Sequence, residues 1–360
     1  RSKNILAESR DSKMKFAGES RSYRHFMRTA VYYSNKDVRI EERPRPKIGE
    51  GEILVRIEAS GICGTDCLEW YRINRVPLIL GHEIAGTIVE TGKGVKGYKA
   101  GDRVAASHHV PCGECRFCLD GHETVCDTLR KTNFDPGGFS EFIRIPRINI
   151  EKGGVYRLPR NVSFEEATFI EPLACVLRGQ RMAGIKKGKA VVIFGSGISG
   201  LLHIQLAKLN GASRVVAIDI NDYRLKAAKQ FGASYAINAK EYSPERFDLV
   251  IICTGAAQAY DAALKSVERG GTVLFFAATD KGVTIQLSAN DLFWRNEVTL
   301  MSSYAATPDE HREALGLIGS RKINVRDMIT HRLPLAQTGR GIGLASEAKD
   351  SIKLIIEAQK

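Results

Sequence analysis

Between residues 29 and 150 the apolar positions fall in short, β-branched runs broken by Gly and Pro, at 53–57, 84–90, 103–106 and 139–145. Strands of that length and punctuation predict a compact, barrel-like β domain. Near Ala190 the pattern changes. Continuous apolar runs at 190–194, 214–218, 247–253 and 272–277 alternate with helical stretches at 199–209 and 256–267. That alternation predicts a parallel sheet wrapped by helices, an α/β fold of the doubly wound kind. After about Tyr304 it stops, and segments 308–318 and 351–357 are expected to be additions to the first domain.

The turn after the first strand of the second region reads Gly195-Ser196-Gly197-Ile198-Ser199-Gly200 and leads into a helix. A lone G-x-G-x-x-G is weak. Between a strand and a helix, its glycines serve the tight turn, the approach of backbone to pyrophosphate, and helix-to-strand packing. The helix start, with Ile198 and Ser199, receives the phosphate charge. Asp219 ends the next strand, where a carboxylate bonds ribose hydroxyls and repels a 2′-phosphate, so NAD is expected over NADP. Arg224 acts against that discrimination, since a guanidinium pairs with phosphate. The Cys253-Thr254-Gly255 turn ends a later strand and is expected to abut the nicotinamide.

Cys112, Cys115, Cys118 and Cys126 form a C-x2-C-x2-C-x7-C run. Four thiolates in one lobe saturate a tetrahedral zinc and leave no open position, so this site is expected to be structural. A ferredoxin lobe would close with C-x3-C-P, whereas Asp127 follows Cys126 here. A nucleic-acid zinc knuckle would carry basic and aromatic neighbours, and this run lies beside Glu114, Asp120 and Glu123. An open site is suggested elsewhere by Cys63, His82, Glu83 and Glu171, although any one of these alone is ordinary. Cys67 and Cys175 are expected to be packing residues.

At 360 residues the chain has room for two or three domains. Its net charge of +12 raises the question of nucleic acid or membrane, but residues 1–26, with 7 basic and 3 acidic groups, supply +4 of it. The rest is dispersed, without a block of like charge or basic–aromatic interleaving, so neither partner is expected. The clustered cysteines of a chain this long point to a reducing, cytoplasmic setting. Residues 1–26 lack the apolar run of a signal peptide and are expected to be a disordered or added tail, and no apolar run reaches the ~20 residues of a membrane helix.

Together, Gly61-Ile62-Cys63-Gly64-Thr65-Asp66, Gly81-His82-Glu83, the cysteine lobe and the glycine loop resemble the zinc-containing medium-chain dehydrogenase family in order and spacing. Glu171-Pro172-Leu173-Ala174 is similar to the branch of sorbitol, other polyol and threonine dehydrogenases. The resemblance implies a GroES-like catalytic barrel at 27–171 completed by 304–360, around a Rossmann NAD-binding domain at 172–303. It implies a catalytic zinc held by Cys63, His82 and one or both of Glu83 and Glu171, with Asp66 orienting His82 and Thr65 passing on the substrate proton. A homodimer or homotetramer is also implied, with residues 298–301 as a candidate for edge pairing.

Two departures stand out. Polyol members usually carry His five residues after the zinc cysteine, where this chain has Leu68, and sorbitol dehydrogenases tend to carry Arg-Tyr where it reads Ser303-Tyr304. Trp70, Tyr71 and Phe134 are candidates for a more apolar pocket. The implied reaction is hydride transfer from a secondary alcohol or polyol to NAD, with zinc lowering the hydroxyl pKa as it lowers that of water from about 15.7 to about 7. The alternatives are a threonine-type amino-alcohol dehydrogenase and, in another class, a non-catalytic zinc-stabilised nucleic-acid or interaction protein.

Overall fold

The computed structural model describes residues 25–360. Most of the expected tail, residues 1–24, lies outside them, and the first strand, Phe26–Ser34, begins inside its stated end. That strand pairs with Asp37–Pro44 and Leu78–Ile79 in a three-stranded sheet.

A seven-stranded sheet forms the barrel. Its order runs Ile329–Pro334, Lys353–Glu357, Ile53–Gly61, Glu83–Thr91, Arg103–Ala106, Val155–Arg157, with Phe142–Ile145 pairing on Ile53–Gly61. Ile53, Val55, Ile57, Ile84, Ile88, Val104 and Ile143 fill its interior. The two strands from the end of the sequence complete this sheet.

The nucleotide-type sheet has six parallel strands in the order Tyr235–Asn238, Arg214–Asp219, Ala190–Phe194, Phe247–Ile252, Val267–Phe275, Thr299–Ser302. Strand order reverses beside Ala190–Phe194, so a crevice opens at its carboxyl end. Val191 and Ile193 pack into one apolar cluster and Val192 and Phe194 into another, which is why the run reads as continuously apolar rather than alternating. The helix expected at 256–267 is the shorter Gln258–Lys265, because the next strand already begins at Val267. Thr299–Ser302 is an edge strand. Among the described residues no helix is long and apolar enough to cross a membrane.

Candidate active site and zinc centres

Antiparallel pairing brings the distant cysteine and histidine together. Gly61, ending one strand, sits opposite Glu83, which begins its neighbour, so the residues just beyond each end meet at one rim of the barrel. Gly81 makes the entry turn at φ +92°, and a Cβ there would stand 2.8 Å from the Phe139 amide nitrogen. Only glycine meets both demands. Cys63 then caps a 3-10 turn over Gly64–Cys67, and the Asp66 carboxylate accepts the Cys63 N–H at 3.1 Å.

One donor atom from each of Cys63, His82 and Glu83 lies within 4.8 Å of the others. Asp66 is fully buried, with Oδ1 3.7 Å from His82 Nδ1. That is ion-pair range, longer than a hydrogen bond, and Oδ1 has no hydrogen-bond partner. Burial alone would lower the His82 imidazole, but the Cys63 and Asp66 anions, with Glu171, raise it well above its ordinary value. A site whose field draws positive charge this strongly, built from thiolate, imidazole and carboxylate, suits a zinc ion.

The two candidate glutamates differ. Glu83 is 1% exposed and its Oε2 forms an ion pair with the wholly buried Lys353, which reaches in from the strand Lys353–Glu357. Glu171 stands in the first turn of the helix Ile170–Met182 and lies outside the tight three-residue group. Burial pushes its carboxyl up, against the pull of His82. The Cys175 thiol donates to Glu171 Oε1 at 3.5 Å, so Cys175 is more than the packing residue expected. Thr65 is exposed, and its hydroxyl donates to Cys63 Sγ at 3.3 Å. Phe134 differs from Trp70 and Tyr71 in its burial. It is buried in the barrel core, 6.2 Å from the His108 ring, while the other two are exposed.

Lys353 and His108 were not anticipated. The signal for Lys353 is a lysine inside the apolar run Ile352–Ile356, and for His108 the His-His pair before the cysteine lobe. The His108 ring lies 4.8 Å from His82 and 3.8 Å from His109.

In the lobe, the sulfurs of Cys112 and Cys118 are 3.9 Å apart, those of Cys115 and Cys118 3.6 Å, and those of Cys126 and Cys112 3.6 Å. A disulfide would require about 2.05 Å. The edge of a tetrahedron with Zn–S bonds of about 2.3 Å is about 3.8 Å, so the spacing fits zinc. Burial opposes ionisation of Cys126, but the amides of Cys112 and Leu129 bring its thiol down to about 6, whereas burial pushes the Cys118 thiol up to about 12.

The glycine loop is equally specific. Gly195 has φ +95°, with a Cβ position 2.8 Å from the Cys253 carbonyl oxygen, and a Cβ on Gly200 would fall 1.9 Å from the Gly195 oxygen. Gly197 is different: nothing of the chain comes within 3.4 Å of its Cβ position, which leaves room for a ligand. The helix Ile198–Leu209 starts here, with Ser199 in its first turn. Asp219 ties the loop to its strand, Oδ2 accepting from Ser196 N at 2.6 Å and Oδ1 from Asn221 N at 2.9 Å. Arg224 lies beside Gly197, and its buried Nε has no partner. Cys253 and Thr254 flank Gly195 at the end of the adjacent strand.

Residues 49–156 match the alcohol dehydrogenase GroES-like domain, and residues 199–320 match the zinc-binding dehydrogenase domain. Sorbitol dehydrogenase of Gallus gallus is 31% identical over 85% of this chain and 89% of its own length. The chain belongs to the zinc-containing medium-chain dehydrogenases. This dehydrogenase is also 33% identical to L-threonine 3-dehydrogenase of Bacillus velezensis, over 85% of this chain and 91% of that one. A solved structure from Sinorhizobium meliloti 1021, assigned as a zinc-binding dehydrogenase and bound to NADP, superposes with a TM-score of 0.82 at 27% identity, covering 92% of this chain and 99% of that chain. The enzyme is therefore an oxidoreductase using zinc and a nicotinamide dinucleotide, with the GroES-like and Rossmann architecture expected. The reading as a non-catalytic nucleic-acid protein finds no support in these matches.

Proposed function

We propose that the enzyme oxidises a secondary alcohol or polyol with NAD, using a catalytic zinc held by Cys63, His82 and Glu171 and a structural zinc held by Cys112, Cys115, Cys118 and Cys126. The observation that carries the reading is the convergence of Cys63, His82 and Glu83 within 4.8 Å beside Asp66 and Glu171. Glu83, neutralised by Lys353, serves as a charged wall of the site rather than its inner carboxylate. Zinc bound there supplies Lewis acidity, lowering the pKa of a substrate hydroxyl. NAD supplies the hydride acceptor, held by Gly195, Gly197, Ile198, Ser199, Gly200, Asp219, Cys253 and Thr254.

The chain's own groups divide the remaining work. Asp66 holds the His82 ring so that its other nitrogen faces the metal. Thr65, already directed at the Cys63 sulfur and open to solvent, accepts the hydroxyl proton on its oxygen and passes it outward. Asp219, with both carboxylate oxygens held by amides, is a fixed negative charge against a 2′-phosphate, whereas the unpaired Arg224 Nε favours one. We assign NAD as the preferred coenzyme with NADP as a weaker one. Residues 27–171 with 304–360 form the catalytic unit and 172–303 the coenzyme unit; a cytoplasmic homodimer or homotetramer is part of the same reading.

An amino-alcohol dehydrogenase is the second reading, supported by the threonine dehydrogenase relative. Steady-state oxidation of sorbitol, 2,3-butanediol and L-threonine with NAD and NADP separates the two. Metal analysis is expected to give two zinc per chain, with Cys63→Ser losing one zinc and all NADH formation. One zinc in the unaltered protein, or undiminished turnover in that variant, overturns the proposal.

A further inference from the structure

We propose that Asn221 is a positioning residue that fastens the ribose-binding turn of the coenzyme unit to the helix packed on the catalytic turn, and so sets the register between the nicotinamide and the site at Cys63 and His82. The inference rests on the coenzyme site proposed above.

Asn221 lies two residues after Asp219, and its backbone N–H donates to Asp219 Oδ1 at 2.9 Å. Its side chain serves two helices. Oδ1 caps the helix Asp222–Gln230, accepting from Tyr223 N at 2.9 Å and from Arg224 N at 3.4 Å. Nδ2 reaches the catalytic unit and donates to the carbonyls of Ala348, at 3.0 Å, and Lys349, at 2.5 Å. A primary amide has one acceptor oxygen and two N–H groups, and each side here meets its complement. The reverse orientation would set N–H against N–H and oxygen against oxygen, so the surrounding groups fix the direction of the amide.

The two carbonyls stand just past the helix Thr338–Glu347, where Ala348 turns left-handed at φ +53° and its N–H closes on Leu344 O at 3.3 Å. A helix end leaves carbonyls that its own turns cannot satisfy, and alanine adopts the left-handed conformation less readily than glycine. A donor from the other unit supports that end. The same helix packs on the turn Gly64–Cys67, which carries Thr65 and Asp66. Cys67 Sγ donates to Ile342 O at 3.7 Å, and a Cβ on Gly341 would fall 2.6 Å from Ile62 Cδ1. Packing this close transmits a displacement rather than absorbing it. One side chain thus stands between the turn that holds Asp219 and the helix seated on the catalytic turn. Other ties between the units, Gln205 Oε1 with Asn324 N at 2.8 Å and Arg178 Nη2 with Glu123 Oε2 at 3.4 Å, start within the helices Ile198–Leu209 and Ile170–Met182 instead.

Hydride transfer needs its two carbons within about 3–3.5 Å, and the two reactants are held by different units. A tie that springs from the ribose-binding turn therefore acts on a ligand that spans both units. Asp or Ser at position 221 would still cap the helix, since either accepts from first-turn amides, but neither offers two N–H groups to the carbonyls.

The test is titration calorimetry on the zinc-loaded full chain with NADH and with ADP-ribose, which lacks the nicotinamide that must meet the catalytic unit. In Asn221→Asp and Asn221→Ser, NADH is expected to bind about tenfold more weakly, as when the competent arrangement falls to about a tenth of the population, while ADP-ribose stays within about twofold. Hydrogen exchange in residues 338–349 is expected to quicken in both variants. Undiminished NADH binding overturns the proposal. An equal loss of ADP-ribose also overturns it, by confining Asn221 to the ribose pocket, as does a loss seen in Asn221→Asp alone, which traces to the added charge. If the unaltered chain binds neither ligand, the coenzyme reading fails; faster exchange at 338–349 in both variants then still supports the tie, and unchanged exchange sinks it as well.

Discussion

Replacing Lys353 by Met tests how the metal centre is neutralised. Lys353 and Glu83 are 0% and 1% exposed, and their ion pair spans the barrel wall. There is no slack around it: a Cβ on Gly61 would fall 2.3 Å from Glu83 Oε2 and 2.6 Å from Lys353 Cε. Methionine keeps much of the lysine volume but removes the charge, which leaves Glu83 buried without its cation. Breaking a buried pair on one side costs about 3–5 kcal/mol. The deficit of the Lys353→Met variant is therefore expected to be about 3–5 kcal/mol at pH 8. Urea unfolding followed by circular dichroism in a zinc-buffered solution measures it. Adding Glu83→Gln is expected to recover most of the loss, since neither charge then remains. A deficit below about 1 kcal/mol at pH 8, or a double variant no more stable than the single one, would refute the reasoning.

Other outcomes follow from single contacts. Asp66→Asn removes the charge facing His82 and is expected to weaken zinc binding about 10–100-fold in chelator competition, with the lobe zinc retained. Gly200→Ala forces a Cβ to within 1.9 Å of the Gly195 oxygen and is expected to cost about 1–3 kcal/mol and most of the NADH fluorescence enhancement. His311 is buried against the Tyr156 ring at 5.4 Å, and burial lowers its imidazole to about 4. The unfolded chain takes up a proton there below about pH 6.5, so this residue removes stability as pH falls from 6.5 to about 4, by an amount on the order of 3 kcal/mol. His311→Gln is expected to flatten that part of the stability–pH curve, as read by thermal unfolding in a pH series.

Periodic, local signals were legible in the sequence, and contacts closed across long separations were not. The strand Ala190–Phe194, the glycine loop and Asp219 follow from a single strand–helix–strand unit, and the helix start was read one residue late. The cysteine lobe lies within 15 residues and needs no tertiary information. By contrast, the neutralising role of Lys353 depends on a register that places residue 355 opposite Gly61. Periodicity carries no such register. The burial of Phe134 was hidden for a related reason: only closure of the sheet places it in the barrel core. Cys175 lies one helical turn after Glu171, and its proximity follows from an i, i+4 spacing that the sequence already contained.

The salt link between Glu83 and Lys353 joins residues 270 positions apart. At ribosomal speeds of about 5–20 residues per second, the lysine is synthesised roughly 14 to 54 s after the glutamate. Throughout that interval the chain lacks the strand Lys353–Glu357, and Glu83 has no Lys353 to pair with. A metal ion captured early meets a surplus of anionic oxygen, while one captured late meets the finished balance. The topology thereby sets the order in which the acid and its counter-charge are synthesised.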